Sequence, residues 1–227
     1  MRDSVRSWLD AMGALLLEAV ALECTRRERV IFSRLALRAE PGTLVQVVGP
    51  NGSGKTSLLR LLCGLSLPSH GEVRWCGQNI RTMKEDYWRQ LAYVGHLDGV
   101  KDDLTAFENL RLSAAIAGRR ASAAEARAAL LAIGLDGCTD SFARHLSQGQ
   151  RRRLALARVI LSRQTPLWLL DEPFSALDAG GVAVLRTCIA EHLAAGCIVV
   201  MTAHAELPVT ARRTTTVTLG GPEAEAA

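Results

Sequence analysis

Residues 49–57 read GPNGSGKTS, an order of residue types that can hold a polyphosphate. Glycines let a loop curl until its backbone N–H groups converge on phosphate oxygens, and a helix starting where the loop ends adds its positive N-terminal end to the same charge. Gly49, Pro50, Asn51, Gly52, Ser53 and Gly54 supply the curl, Lys55 a mobile cation for the β and γ phosphates, and Thr56 a hydroxyl for Mg²⁺, with Ser57 beside it. The preceding run, TLVQVV, is continuous and β-branched, as a buried strand should be, and SLLRLLCGL after the loop has a helical pattern. Strand, loop and helix in that order make the spelling a Walker A nucleotide loop rather than a glycine turn with a chance lysine.

PLWLLDE (166–172) is a second buried-strand pattern, and it ends in two carboxylates. Alone it would be a strand end with solvated acids. Beside a Walker A it supplies the other half of a hydrolytic site, with Asp171 holding the Mg²⁺ shell through water and Glu172 polarising the attacking water. CIVVMTAH (197–204) is a third such block, ending in His204. ATP and Mg²⁺ are the expected ligands.

These residues need a scaffold, and 227 residues suffice for one compact unit. Strand-like blocks separated by VAVLRTCIAEHLAA give the βαβ rhythm of a mostly parallel sheet, so the fold class is α/β. A first strand is expected near residues 18–24, an edge strand at TTTVTL, and an alanine-rich helical region from Leu104, interrupted by Gly118 and closed by Gly134. The expected organisation is an N-terminal extension at 1–16 without fixed structure, an ATPase domain at 17–220 with a helical subdomain at about 100–165, and a flexible tail at 221–227.

Composition excludes several classes. A net charge of +4 and 4% aromatic residues give little to attract or stack nucleic acid, so none is expected as a partner. The six cysteines, at 24, 63, 76, 138, 188 and 197, form no CxxC pair and read as reduced, mostly buried small hydrophobes. No stretch approaches the ~18–20 apolar residues that span a bilayer. Asp3, Asp10 and Glu18 break up the short apolar run at the start, against an export signal. The run Arg151–Arg153 lies on a predicted helix, spans all its faces and reads as a solvated, phosphate-steering surface.

LSQGQRRRLALARVIL followed by WLLDEPFSALD resembles the ABC ATPases, and the resemblance covers nearly all of residues 18–219. It implies a P-loop NTPase domain of ABC type, its mostly parallel sheet joined by an antiparallel β subdomain and a helical subdomain. Residues 146–150 match the signature motif, with Gln148 in place of a glycine and Gly149 retained. The family closes this motif over nucleotide held by a second copy in a head-to-tail dimer, which implies nucleotide contacts from Ser147, Gly149 and Gln150 and, through a D-loop at 175–178, from Asp178. Glu172, His204 as switch histidine, and Lys55 are the implied catalytic groups. His96 stands where the family has a Mg²⁺-sensing glutamine that also touches the membrane partner. The aromatic that stacks on adenine is missing, with Arg26 or Arg27 near its place.

GHLDGVKDDLTAFENL, with LEAVALECTRRERVIF before it, is similar to the ATP-binding subunits of cytochrome c maturation systems, a haem-exporter family. That resemblance implies integral membrane partners, a peripheral place on the cytoplasmic face of the bacterial inner membrane, and coupling of ATP hydrolysis to haem export or release of a haem-loaded carrier. Other readings are an ABC ATPase for another substrate, a soluble ABC ATPase of the repair or translation kind, and a regulatory module that binds ATP without turnover.

Overall fold

A computed structural model describes residues 15–220. The expected flexible tail and residues 1–14 of the expected extension lie outside the described residues. Leu15 and Leu16, assigned to that extension, belong to the fold: Leu15 is buried in the core and the Leu16 carbonyl accepts from the Cys76 amide at 2.8 Å. Leu15 continues the inward-facing alternation of Leu17 and Ala19, one strand period before the expected boundary.

Two sheets form. β1 (Leu17–Arg26), β2 (Arg29–Ala39), β4 (His70–Trp75) and β5 (Gln78–Asn79) make an antiparallel sheet in the order β2-β1-β4-β5. β3 (Thr43–Val48), β6 (Leu91–Val94), β7 (Leu167–Leu170), β8 (Ile198–Ala203) and β9 (Arg213–Thr218) make an all-parallel sheet in the order β6-β7-β8-β3-β9. β7 and β8 are buried at every position, as continuous apolar strands covered on both faces must be, and β9, the TTTVTL strand, lies at the sheet edge.

The two-residue alternation of a strand sorts these side chains into two cores. Val45, Val47, Leu167, Leu169, Ile198 and Val200 face the antiparallel sheet and helix α1 (Lys55–Leu62). Leu44, Trp168, Leu170, Val199 and Met201 face the other way, toward the remaining helices. Those include α3 (Ala106–Ile116), α4 (Ala123–Ala132), α5 (Gln148–Leu161) and α6 (Ala179–Ala194), while the short α2 (Lys84–Arg89) precedes β6. Thr105, Ser122 and Ser147 cap α3, α4 and α5, each in a reciprocal box with Glu108, Glu125 or Gln150 three residues on. Each cap contributes about 1 kcal/mol and fixes where its helix begins. All six cysteines are unpaired, and burial pushes the Cys63 thiol up to about 11 and that of Cys197 to about 12.

His192 of α6 stacks on Trp168 of β7, ring centroids 3.6 Å apart. Burial, and then the nearby Arg163 charge, push its imidazole down to about 3, and its Nε2 is buried with no partner. Between that value and the ordinary 6.5 the unfolded chain holds a proton that the folded chain does not, so the contribution is fully present above pH 6.5 and is lost as pH falls. Acidification from pH 7 to 5 should cost about 2 kcal/mol from this residue alone. Urea midpoints at the two pH values test this: His192→Phe should flatten the difference, and an unchanged slope would contradict it.

Candidate functional site

β3 delivers the chain into the loop at 49–54, and α1 starts at its end. Gly49 packs so closely that a side chain there would run into the Leu219 carbonyl, and one at Gly54 would lie 2.6 Å from the Ile31 Cγ2. Both have φ values, 150° and 101°, that favour glycine. Lys55 is buried and its Nζ donates to the Gly49 carbonyl at 2.7 Å and the Pro50 carbonyl at 3.1 Å, bracing the loop from within. Pro50, Asn51 and Gly52 form the exposed rim, whereas Ser57 is buried in α1.

Two observations show that this loop fits phosphate. The Ser53 Oγ is buried with no partner, and the N-terminus of α1 has neither a side-chain cap nor an acidic residue in its first turn. A polyphosphate would satisfy both.

The carboxylates stand at the end of β7. Asp171, 1% exposed, accepts from the Thr56 hydroxyl at 2.8 Å and the Thr202 hydroxyl at 2.7 Å. Thr56 and Asp171 thus place two hard oxygen donors side by side, a set suited to a small divalent cation. Thr202 also accepts from the Glu172 amide at 2.7 Å, so one buried hydroxyl from β8 ties both acidic residues together. Sequence reasoning missed Thr202; a threonine inside IVVMTA, two residues before His204, was the available signal. Thr202→Val should cut hydrolysis about tenfold and stability by ~1–3 kcal/mol, because a buried carboxylate and an amide lose their partner. Steady-state rates and thermal midpoints measure the two effects.

Glu172 has φ of 46°, a left-handed conformation costly for a residue with a side chain. Its carbonyl accepts from the Arg152 guanidinium, the Ser175 hydroxyl and the Ser175 amide, which together hold that turn. The Glu172 Oε1 lies 3.5 Å from the His204 Nε2, and His204 is largely exposed at the end of β8.

The turn at 146–150 lies elsewhere. Ser147 accepts from the Gln150 amide, the Gln150 Oε1 accepts from the Ser147 amide, and Gly149 abuts the Ala176 carbonyl. Among the described residues no hydrogen bond joins this turn to residues 49–57. Asp178 caps α6 and pairs with Arg153; the Gly181 amide, and next the Arg153 guanidinium, hold its carboxyl below the usual carboxylate range. His96 is exposed and belongs to no cluster of three potential metal ligands among the described residues. Arg26 and Arg27 are exposed at the β1–β2 turn, while Ile31 and Phe32 are the side chains nearest to Gly54.

The arginine run requires a correction. It is not a solvated surface: Arg152 is buried among backbone carbonyls, Arg151 pairs with Asp102 and donates to the Ala143 carbonyl, and Arg153 binds Asp178. A guanidinium donates in a planar fork, and on α5 each of the three faces a different segment with acceptors to offer.

A parallel sheet that feeds a phosphate loop, with an aspartate bonded to that loop and a glutamate beside it, defines a P-loop nucleoside-triphosphatase domain. Residues 32–175 match the family described as ABC transporter. The chain is 54% identical over 192 residues to the cytochrome c biogenesis ATP-binding export protein CcmA of Nitrosomonas europaea, covering 85% of this chain and 90% of that protein. It is 49% identical to the protein of the same name from Methylococcus capsulatus, covering 84% and 92%. Among solved structures, the ATP binding subunit of an ABC transporter superposes with a TM-score of 0.78 at 25% identity, covering 93% of this chain and 89% of that one. An ATP-binding protein of a putative ABC transporter from Pyrococcus furiosus gives 0.75 at 25%, covering 88% and 96%. The chain belongs to the ABC transporter family, as an ATP-binding, ATP-hydrolysing subunit.

Proposed function

We propose that this chain is the motor of a membrane complex serving cytochrome c assembly, coupling ATP hydrolysis to haem export or to release of a haem-loaded carrier. The observation that carries the proposal is its 54% identity, over most of both chains, to a protein named for cytochrome c biogenesis and export. In this reading Lys55 and the amides of residues 49–57 bind the phosphates. Thr56, and Asp171 through water, would hold Mg²⁺, which would supply neutralisation of phosphate charge. Glu172 takes a proton from the attacking water, and His204 keeps that carboxylate and the γ-phosphate in register.

Ser147, Gly149, Gln150 and Asp178 act on the nucleotide of a second copy, arranged head to tail. What supports this is the turn at Ser147, exposed, capped only by its own Gln150 and without a bond to the chain's own phosphate loop. The other partners are the integral membrane subunits of the maturation system, a reading supported by the similarity to proteins named for export; no helix among the described residues is long and apolar enough to cross a membrane. The chain works at the cytoplasmic face of the inner membrane, with the ATPase domain reaching from residue 15 to 220, the helical part at about 100–165 as its subdomain, and His96 at the loop that senses Mg²⁺ and the membrane partner.

Deleting the gene in its native host tests the cellular role. Covalent haem staining should show c-type cytochromes lost and b-type cytochromes retained, restored by the wild-type gene but not by Lys55→Ala. Normal c-type cytochromes in the deletion strain would remove the haem assignment and leave the ATPase intact.

A further inference from the structure

Arg152 is a fixed positive charge with only 4% of its side chain exposed, five residues into the helix that Ser147 caps. Burying a guanidinium is costly unless its donors are matched, so its partners indicate what the burial maintains. Nη2 donates to the Asp171 carbonyl at 2.6 Å and the Glu172 carbonyl at 2.9 Å. Nη1 donates to the Gly95 carbonyl at 2.9 Å and lies 3.4 Å from the Asp98 carboxylate. Nε is buried with no partner. The fork is therefore turned toward the ends of β6 and β7 at the expense of its own remaining donor. It grips the backbone of both acidic residues at the point where Glu172 turns left-handed.

We infer that Arg152 is a positioning residue for hydrolysis, one guanidinium that locks the backbone of Asp171 and Glu172 to the 95–98 loop and to the helix bearing Ser147. It acts through Glu172 and so rests on the reading of Glu172 given above. A shift of α5 or of the 95–98 loop is passed to the Glu172 backbone through this one buried, planar guanidinium. Arg151, its neighbour on α5, anchors the same helix to Asp102 and the Ala143 carbonyl and touches neither acidic residue, so it separates positioning from general bracing.

The test uses the full chain at protein concentrations where self-association saturates hydrolysis, and measures kcat, KM, ATP binding and thermal midpoint for Arg152→Met, Arg152→Lys and Arg151→Met. Misplacing a reacting group by about 1 Å costs on the order of 100-fold, so Arg152→Met should lose roughly 10- to 100-fold in kcat per folded molecule, with KM and ATP affinity within about twofold of wild type. Arg152→Lys keeps the charge but donates from a single point, and should recover part of the loss while remaining at least about fivefold slow. Arg151→Met should keep its kcat even where its thermal midpoint falls. Wild-type kcat in Arg152→Lys, or an equal loss in Arg151→Met, would overturn the inference; if Arg152→Met does not fold, the lysine variant decides. Glu172→Gln is assayed alongside, since normal hydrolysis there would defeat the reading of Glu172 whatever Arg152 does.

Discussion

Glu172→Gln should bind ATP with near-normal affinity, hydrolyse it about 10²–10⁴-fold more slowly, and accumulate as an ATP-bound dimer. The amide has the shape of the carboxylate but cannot take a proton from water. The backbone bonds that set the turn, from Thr202, Arg152 and Ser175, do not involve the side chain and survive. Lys55, Thr56 and Asp171 keep their contacts, so the phosphate site is intact. Gel filtration with ATP and Mg²⁺ should show the doubled mass, and removing nucleotide should abolish it. A variant that turns over like wild type would show that Glu172 is not the base.

Lys55→Ala and Ser147→Ala should fail in different ways. Lys55 is a buried ammonium bonded to two loop carbonyls, so truncation removes both the phosphate's cation and an internal brace of the loop. Losing one partner of a buried, hydrogen-bonded charge pair costs about 2–5 kcal/mol, or roughly 30-fold or more in ATP affinity. Ser147→Ala removes a cap worth about 1 kcal/mol of stability but no contact with the chain's own phosphate loop. The dilute serine variant should therefore bind ATP normally by calorimetry, and its deficit should appear in dimer formation. Equal loss of affinity in the two variants would argue against a signature turn acting on a second copy.

What was legible in the sequence is what local chemistry encodes. Thr43–Val48 could be placed as a buried strand because its apolar run is continuous and opens into the glycine loop. What was not legible depends on residues far apart in the chain. Three consecutive arginines point to all sides of a helix, and only the packing of α5 against the ends of β6 and β7 decides that the middle one is buried. Thr202 looks like any β-branched residue in an apolar strand until β8 comes to lie beside β7, with Asp171 following. Near the phosphate loop, sequence spacing drew attention to Arg26 and Arg27, yet β2 brings Ile31 and Phe32 against Gly54.

The floor of the phosphate loop is made late. Gly49 packs under the Leu219 carbonyl, the Leu219 amide donates to the Val48 carbonyl, and β3 is flanked by β8 and β9. A chain emerging from the ribosome therefore exposes its glycine loop long before it has made the strands that hold the loop in shape. ATP stabilises this chain only to the extent that the loop is already in its folded shape, because a ligand stabilises the state that it binds. During synthesis the antiparallel sheet, whose four strands all lie within residues 17–79, can form first, and the apolar β3 must wait for both of its neighbours. The interior strand β3 thus has both its neighbours, and the glycine loop its floor, only once residues 213–219 are in place.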